Sequence, residues 1–127
     1  MIDFSRYNVL AVDDVPLNLM LVEKMLSRFK FRIRKASNGL EALREIKEEK
    51  PDLILLDLLM PEMDGFQLLE YLRGKEETAD IRIVILSALN SNDDIVRGYQ
   101  LGANDFITKP IIMEKLVNCV ATQLQLL

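Results

Sequence analysis

Short unbroken apolar runs alternate along the chain with longer stretches in which apolar residues recur every three or four positions. The first pattern predicts strands buried on both faces of a parallel sheet, the second predicts helices with one face inward. Asn8-Val9-Leu10-Ala11-Val12 predicts a first buried strand ending at Asp13 and Asp14, with Pro16 placed for the first turn of a helix. Leu17, Met20, Leu21 and Met25 recur at helical spacing along that helix. Phe31-Arg32-Ile33-Arg34-Lys35-Ala36 alternates apolar and basic residues, which predicts a second strand with one exposed face, at a sheet edge. Asn38-Gly39 turns the chain into a second helix, with Leu40, Leu43 and Ile46 inward and Glu and Lys outward. Pro51 opens the central apolar run, Leu53-Ile54-Leu55-Leu56, and Asp57 falls where that strand ends. Beyond the turn at Asp64-Gly65, Phe66, Leu69 and Leu72 mark a third helix that stops at Gly74. Ile83-Val84-Ile85-Leu86 predicts a fourth strand leading to Ser87; Asp93 then caps a fourth helix running to Leu101, with Gly102 as its stop. Residues 105–110 predict a short fifth strand, and the segment from Met113 a last helix with Leu116, Val117, Val120 and Leu124 on one face. Five strands alternating with five helices at short spacing predict an α/β fold built on a doubly wound parallel sheet.

Half of the 127 residues are apolar, enough for a core, and no linker, repeat or low-complexity tract divides the chain, so a single domain over residues 1–127 is expected. Acidic residues outnumber basic ones, giving a net charge of −4. That balance lacks the positive footprint a nucleic-acid backbone requires, so no direct nucleic-acid ligand is expected. Cys119 is the single cysteine and histidine is absent, which excludes disulfides within the chain, thiolate zinc sites and imidazole ligands. A hard, oxygen-ligated metal stays compatible. Asp3 and Arg6 precede the first strand in a segment too short and too acidic for a signal peptide. With no apolar run approaching a membrane span, a cytoplasmic protein without membrane contact is expected.

In an open parallel sheet the ligand site lies beyond the carboxyl ends of the strands. Asp13 and Asp14 end the first strand, Asp57 the third, Ser87 the fourth and Lys109 the fifth. Each alone has a bland reading, as a cap, a loop serine or an edge charge; their joint placement is the signal. An aspartate in an apolar run is costly to bury without a partner, and Pro61 and Asp64-Gly65 already supply the local turn chemistry, leaving Asp57 no capping role. Three convergent carboxylates repel unless a divalent cation and an opposing ammonium offset them. Magnesium suits oxygen ligands and keeps waters that leave room for a phosphoryl oxygen, while Lys109 supplies a fixed cation and Ser87 a hydroxyl donor.

Val12-Asp13-Asp14, Asn38-Gly39, Leu56-Asp57, Met60-Pro61, Met63-Asp64-Gly65, Leu86-Ser87-Ala88, Gly102-Ala103-Asn104-Asp105-Phe106 and Thr108-Lys109-Pro110 together carry a resemblance over essentially the whole chain. The chain resembles a response-regulator receiver domain of two-component signalling. The resemblance implies a flavodoxin-like sheet of strand order 2-1-3-4-5, flanked by five helices. It implies Asp57 as phosphoacceptor, magnesium held by Asp14, Asp57 and the Leu59 carbonyl, and Asp13 acting through a metal-bound water. It further implies that Lys109 contacts the phosphoryl group, that Ser87 and Phe106 form a switch pair, and that Lys109-Pro110 is a cis peptide. Function would then be a phosphorylation-dependent switch, not an enzyme beyond its own phosphotransfer and dephosphorylation. The phosphoryl donor would be a sensor histidine kinase or a histidine phosphotransfer protein. Output would pass through the face of the fourth helix, fifth strand and fifth helix to a second copy or an effector, with Tyr99, Val120 and Leu124 offering apolar contact. Serine stands at 87 where threonine is also frequent, and phenylalanine at 106 where tyrosine is frequent. Leu59 and Leu89, two positions after Asp57 and Ser87, are both apolar, which predicts slow loss of the phosphoryl group to water.

Three rival readings follow from the same residues. A phosphatase of the haloacid-dehalogenase type also uses a strand-end aspartate, a lysine and magnesium, but it needs a second aspartate where this chain has Leu59, and room for a capping domain. Dinucleotide binding needs a glycine-rich loop after the first strand, which is absent. A receiver acting as a phosphorylation-independent interaction module would be expected to lack one of Asp14, Asp57 or Lys109. With no effector domain after the last helix, the chain is expected to be a free-standing regulator, a relay intermediate or a receiver cut from a hybrid kinase.

Overall fold

Strands that are apolar without alternation can only be satisfied by helices on both faces, and that requirement makes the sheet the middle layer of three. In the computed structural model, which describes residues 4–125, the elements run β1 (Asn8–Val12), α1 (Pro16–Ser27), β2 (Arg32–Ala36), α2 (Gly39–Glu48), β3 (Leu53–Leu56), α3 (Gly65–Arg73), β4 (Arg82–Ser87), α4 (Asn92–Gln100), β5 (Asp105–Thr108) and α5 (Met113–Gln125). Asp3 and the outermost residues of the span 1–127 lie outside the described residues. All pairings are parallel, in the order β2-β1-β3-β4-β5. Every residue of β1 and β3 is buried, whereas β2 and β5, with mixed sequences, form the edges. This is the α/β doubly wound arrangement implied by the sequence.

Alternate strand residues feed two cores. Leu10, Val12, Ile54, Leu56, Ile83 and Ile85 pack with Ala42 and Ile46 of α2 and Phe66, Leu68, Leu69 and Leu72 of α3. Val9, Ala11, Leu53, Leu55, Val84 and Leu86 pack with Leu19, Val22 and Leu26 of α1 and Leu116, Val120 and Leu124 of α5. Burying one leucine or isoleucine side chain is worth about 1.5–3 kcal/mol, so these two layers dominate what holds the strand ends in place. α4 is anchored differently: it buries Gly98 while Val96 and Tyr99 stay exposed.

Four sequence expectations need correction. On α1 the inward residues are Leu19, Val22 and Leu26, while Leu17, Met20 and Leu21 are exposed and Met25 is half-buried. Both sets satisfy helical spacing because this helix carries apolar residues on more than one face, and spacing alone cannot choose between them. Leu40 is exposed at the start of α2, where Ala42 and Ile46 take the inward positions. The cap of α4 is Ser91, whose Oγ accepts from the Asp94 N–H at 3.1 Å; Asp93 lies inside the first turn, where its charge favours the helix N-terminus. Val120 and Leu124 are fully buried and so offer no surface contact. Two smaller differences concern strand limits: Phe31 precedes β2 and stacks on Phe4 at 4.5 Å, and β5 stops at Thr108.

Candidate acidic site at the strand ends

Strand register is what brings the candidate residues together. Val12 pairs with Leu56 and Ala36, Leu56 with Ile85, and Ser87 with Thr108. Sheet hydrogen bonds continue one step past the strands: Asp13 N to Ala36 O at 3.1 Å, Asp57 N to Val12 O at 3.0 Å, Lys109 N to Ser87 O at 2.8 Å. The backbones that bear the polar side chains are therefore fixed by the sheet.

Carboxylate oxygens of Asp13, Asp14 and Asp57 lie within 4.8 Å of one another. Asp13 and Asp57 are buried, at 7% and 5% exposure, whereas Asp14 is exposed. Lys109 Nζ donates to Asp13 Oδ2 at 3.0 Å and stands 3.8 Å from Asp57 Oδ1. Asp13 Oδ1 accepts from the Val15 N–H at 2.9 Å, which orients that carboxylate at the start of α1. Burial pushes the Asp57 carboxyl up to about 6; the Lys109 ammonium opposes the rise, the Asp13 charge adds to it, and the amides of Leu59 and Leu58 oppose it. One ammonium faces three carboxylates here, so the cluster carries excess negative charge. An all-oxygen donor set with that excess fits a hard divalent cation.

Ser87 is fully buried, and its Oγ accepts from the Leu89 N–H at 3.2 Å, so its hydroxyl proton is left to donate. Leu59 is outside the carboxylate cluster as a side chain, at 51% exposure, and its N–H points to Asp57 Oδ1 at 3.4 Å. Phe106 is half-buried against the core beneath α4, close enough that a Cβ on Gly98 would stand 3.2 Å from its ring. The Lys109-Pro110 peptide is cis. Beside Phe106, Asp105 ties three elements: its Oδ1 accepts from Tyr99 Oη on α4 and its Oδ2 from Cys119 Sγ on α5, each at 3.1 Å. Burial and that carboxylate push the Cys119 thiol up to about 12, which keeps it a hydrogen-bond donor and not a thiolate.

Two features of the site escaped the sequence reading. A Cβ at Gly65 would strike the Asp57 carbonyl oxygen and stand 2.7 Å from Leu58 Cα, so the start of α3 approaches the Asp57 loop as only glycine permits. The sequence assigns Asp64-Gly65 to a turn, and the close approach behind the glycine is a tertiary contact that turn chemistry alone does not reveal. Arg97 places its guanidinium carbon over the Phe66 ring, 4.1 Å from its centroid, at an opening of about 540 Å³ that Asp14, Leu59 and Leu89 also line. Its aromatic partner is on another helix, and no spacing in the sequence links them.

Residues 9–121 match the family model described as response regulator receiver domain. The chain is 39% identical over 103 residues to response regulator PleD of Caulobacter vibrioides, covering 81% of this chain and 23% of PleD. It is 34% identical over 112 residues to protein PilH of Pseudomonas aeruginosa, covering 88% of this chain and 93% of PilH. Among solved structures, the complex CheX-CheY-BeF3-Mg from Borrelia burgdorferi superposes with a TM-score of 0.85 at 28% identity, over 91% of this chain and 87% of that one. The chain thus spans most of PilH but under a quarter of PleD. With a parallel sheet in the order β2-β1-β3-β4-β5, three carboxylates and a lysine at its strand ends, and this match over nearly its full length, the chain belongs to the response regulator receiver domain family.

Proposed function

We propose that the chain is one receiver domain that works as a phosphorylation-operated switch, with Asp57 as the acceptor. The observation that carries this reading is the cluster of Asp13, Asp14 and Asp57 within 4.8 Å, with Lys109 3.8 Å from Asp57. An Asp57 oxygen attacks the phosphorus of the donor; the bond from phosphorus to the donor's imidazole nitrogen breaks, and that nitrogen keeps the electron pair. The chain has no histidine, so the phosphohistidine belongs to a partner kinase or phosphotransfer protein, and a small phosphodonor such as acetyl phosphate serves in its place. Asp14, Asp57 and the Leu59 carbonyl would hold Mg2+, with Asp13 reaching it through water, and the ion would supply charge neutralisation. Lys109 binds the transferred group, and Ser87 donates its free hydroxyl proton to it. The Borrelia relative of this fold, described with BeF3 and Mg, supports the assignment by likeness.

The partner docks where α1 leaves the acidic cluster. Val15, Leu17, Met20 and Leu21 are exposed there, 43–56% accessible, in the turns that follow Asp13 and Asp14. Output runs through α4, β5 and α5 to a second copy or an effector. The protein acts in the cytoplasm without spanning a membrane; no described helix is long and apolar enough to cross one. A phosphatase reading finds no support at Leu59, whose exposed aliphatic side chain has no proton to give a leaving group. Incubation with acetyl phosphate and Mg2+, followed by intact mass, is the test. One added phosphoryl group is expected, lost in Asp57→Asn and on chelation; labelling that survives either change overturns the assignment.

A further inference from the structure

We infer that the cleft between the C-terminal halves of α2 and α3 is a binding site for a small amphipathic organic anion, a carboxylate or sulfonate on a hydrophobic body. This cleft, of about 520 Å³, lies at the ends of the helices remote from the strand-end carboxylates. Its volume falls in the range of sites for small organic ligands. Leu43, Ile46 and Leu72 form the floor, the last two being 6% and 0% exposed members of the core. Tyr71 forms a wall and stays 46% exposed, so its ring, met by the Lys75 ammonium at 5.0 Å, keeps solvent-accessible surface beside the apolar floor.

The rim supplies the charge. Lys47, Lys50 and Lys75 line the cleft against Glu77, in a chain whose net charge is −4. Lys50 is already held by Asp80 at 2.7 Å, which leaves Lys47 and Lys75 for a ligand. Lysines near helix C-termini ordinarily serve the helix dipole, and Lys47 in the last turn of α2 fits that role by itself. Lys75 does not: it follows the Gly74 cap, and its ammonium stands 5.0 Å from the Tyr71 ring centroid. An apolar floor, an aromatic wall and two ammonium groups on one rim match a ligand with a flat or aliphatic body and one acidic head.

The test uses the full chain, labelled with nitrogen-15, titrated with anilinonaphthalene sulfonate and with its neutral analogue, phenylnaphthylamine. Amide shifts are expected to concentrate at residues 43–50 and 71–78, with the sulfonate bound at least about tenfold more tightly than the neutral probe. Lys47→Glu with Lys75→Glu, both at exposed positions, should weaken the sulfonate by a similar factor while the neutral probe is unaffected. Tyr71→Ala should weaken both. Displacement by octanoate assigns a fatty-acid type of ligand and displacement by naphthoate alone an aryl acid; displacement by neither overturns the proposal. Equal binding of the two probes, or shifts scattered outside the cleft, overturns it as well. Because these residues stand apart from Asp57, failure here leaves the phosphoacceptor reading untouched.

Discussion

Asp57 is held in a state that costs the free protein stability at neutral pH. Its carboxyl is raised from 3.8 to about 6 in the folded chain, so the fold prefers the protonated form. The stabilising contribution is complete below the unfolded value and is lost as pH rises through about 6, where the buried group must ionise beside Asp13. Asp57→Asn, which is neutral throughout, is therefore expected to be more stable than the parent at pH 7 by roughly 1–3 kcal/mol, with the gain vanishing below about pH 4. Urea unfolding of both proteins across that range, without divalent cation, measures it; equal stability at pH 7 contradicts the burial argument. Leu59 and Leu89 decide a different property. Neither side chain can hold a water in line with an acyl phosphate on Asp57, so Leu59→Asn and Leu89→Glu should each shorten its lifetime. Following phosphoryl decay in the three proteins checks this, and parent-like rates in both variants contradict it. The strand-end residues were legible because a polar group closing an apolar run is conspicuous. Arg97 was not, since its stack on Phe66 joins α3 to α4 only in three dimensions.

Among the elements, strands were located correctly apart from the limits of β2 and β5, and helix faces less so. An unbroken apolar strand has one reading in a parallel sheet, whereas α1 offers two stripes of similar hydrophobicity, and the sheet accepted Leu19, Val22 and Leu26 in place of Leu17, Met20 and Leu21. The discarded stripe is exposed beside the carboxylates, and what misled the periodicity is the surface assigned to a partner. At α4 the sequence offered Asp93 as a cap, but Ser91 also has a side-chain oxygen and sits two residues earlier, directly before the helix. α3 shows the tightest element-level constraint. Gly65 lets its first turn press on the Asp57 loop, and Asp64 and Gln67 close a capping box above it. Gly65→Ala would force backbone against backbone, and we expect a loss of about 1–3 kcal/mol with the Asp57 loop displaced. Thermal unfolding together with the rate of labelling by acetyl phosphate reads both effects; a variant matching the parent in each contradicts the close approach.

For the whole molecule, a sheet of order β2-β1-β3-β4-β5 places Asp13 and Asp57 on neighbouring strands, with Ser87 and Lys109 on the next two. The order itself was implied by resemblance; the alternation of elements alone allows other windings. The two cores hold β1, β3 and β4 rigidly, whereas α4 buries little beyond Gly98 and leans on Phe106 and on Tyr99, whose hydroxyl bonds to Asp105. A phosphoryl group at Asp57 that draws Ser87 toward it would vacate space beside Phe106, and the weakly anchored helix is where the change is free to spread. Such an effect shifts a pre-existing population without building a new fold. The most direct measurement is the amide spectrum of the nitrogen-15 protein with Mg2+, before and after adding beryllofluoride, which stands in for the phosphoryl group. Shifts are expected around Asp57 and also at Ser87, Tyr99, Phe106 and along α5; shifts confined to the neighbourhood of Asp57, or independent of Mg2+, would contradict the switch.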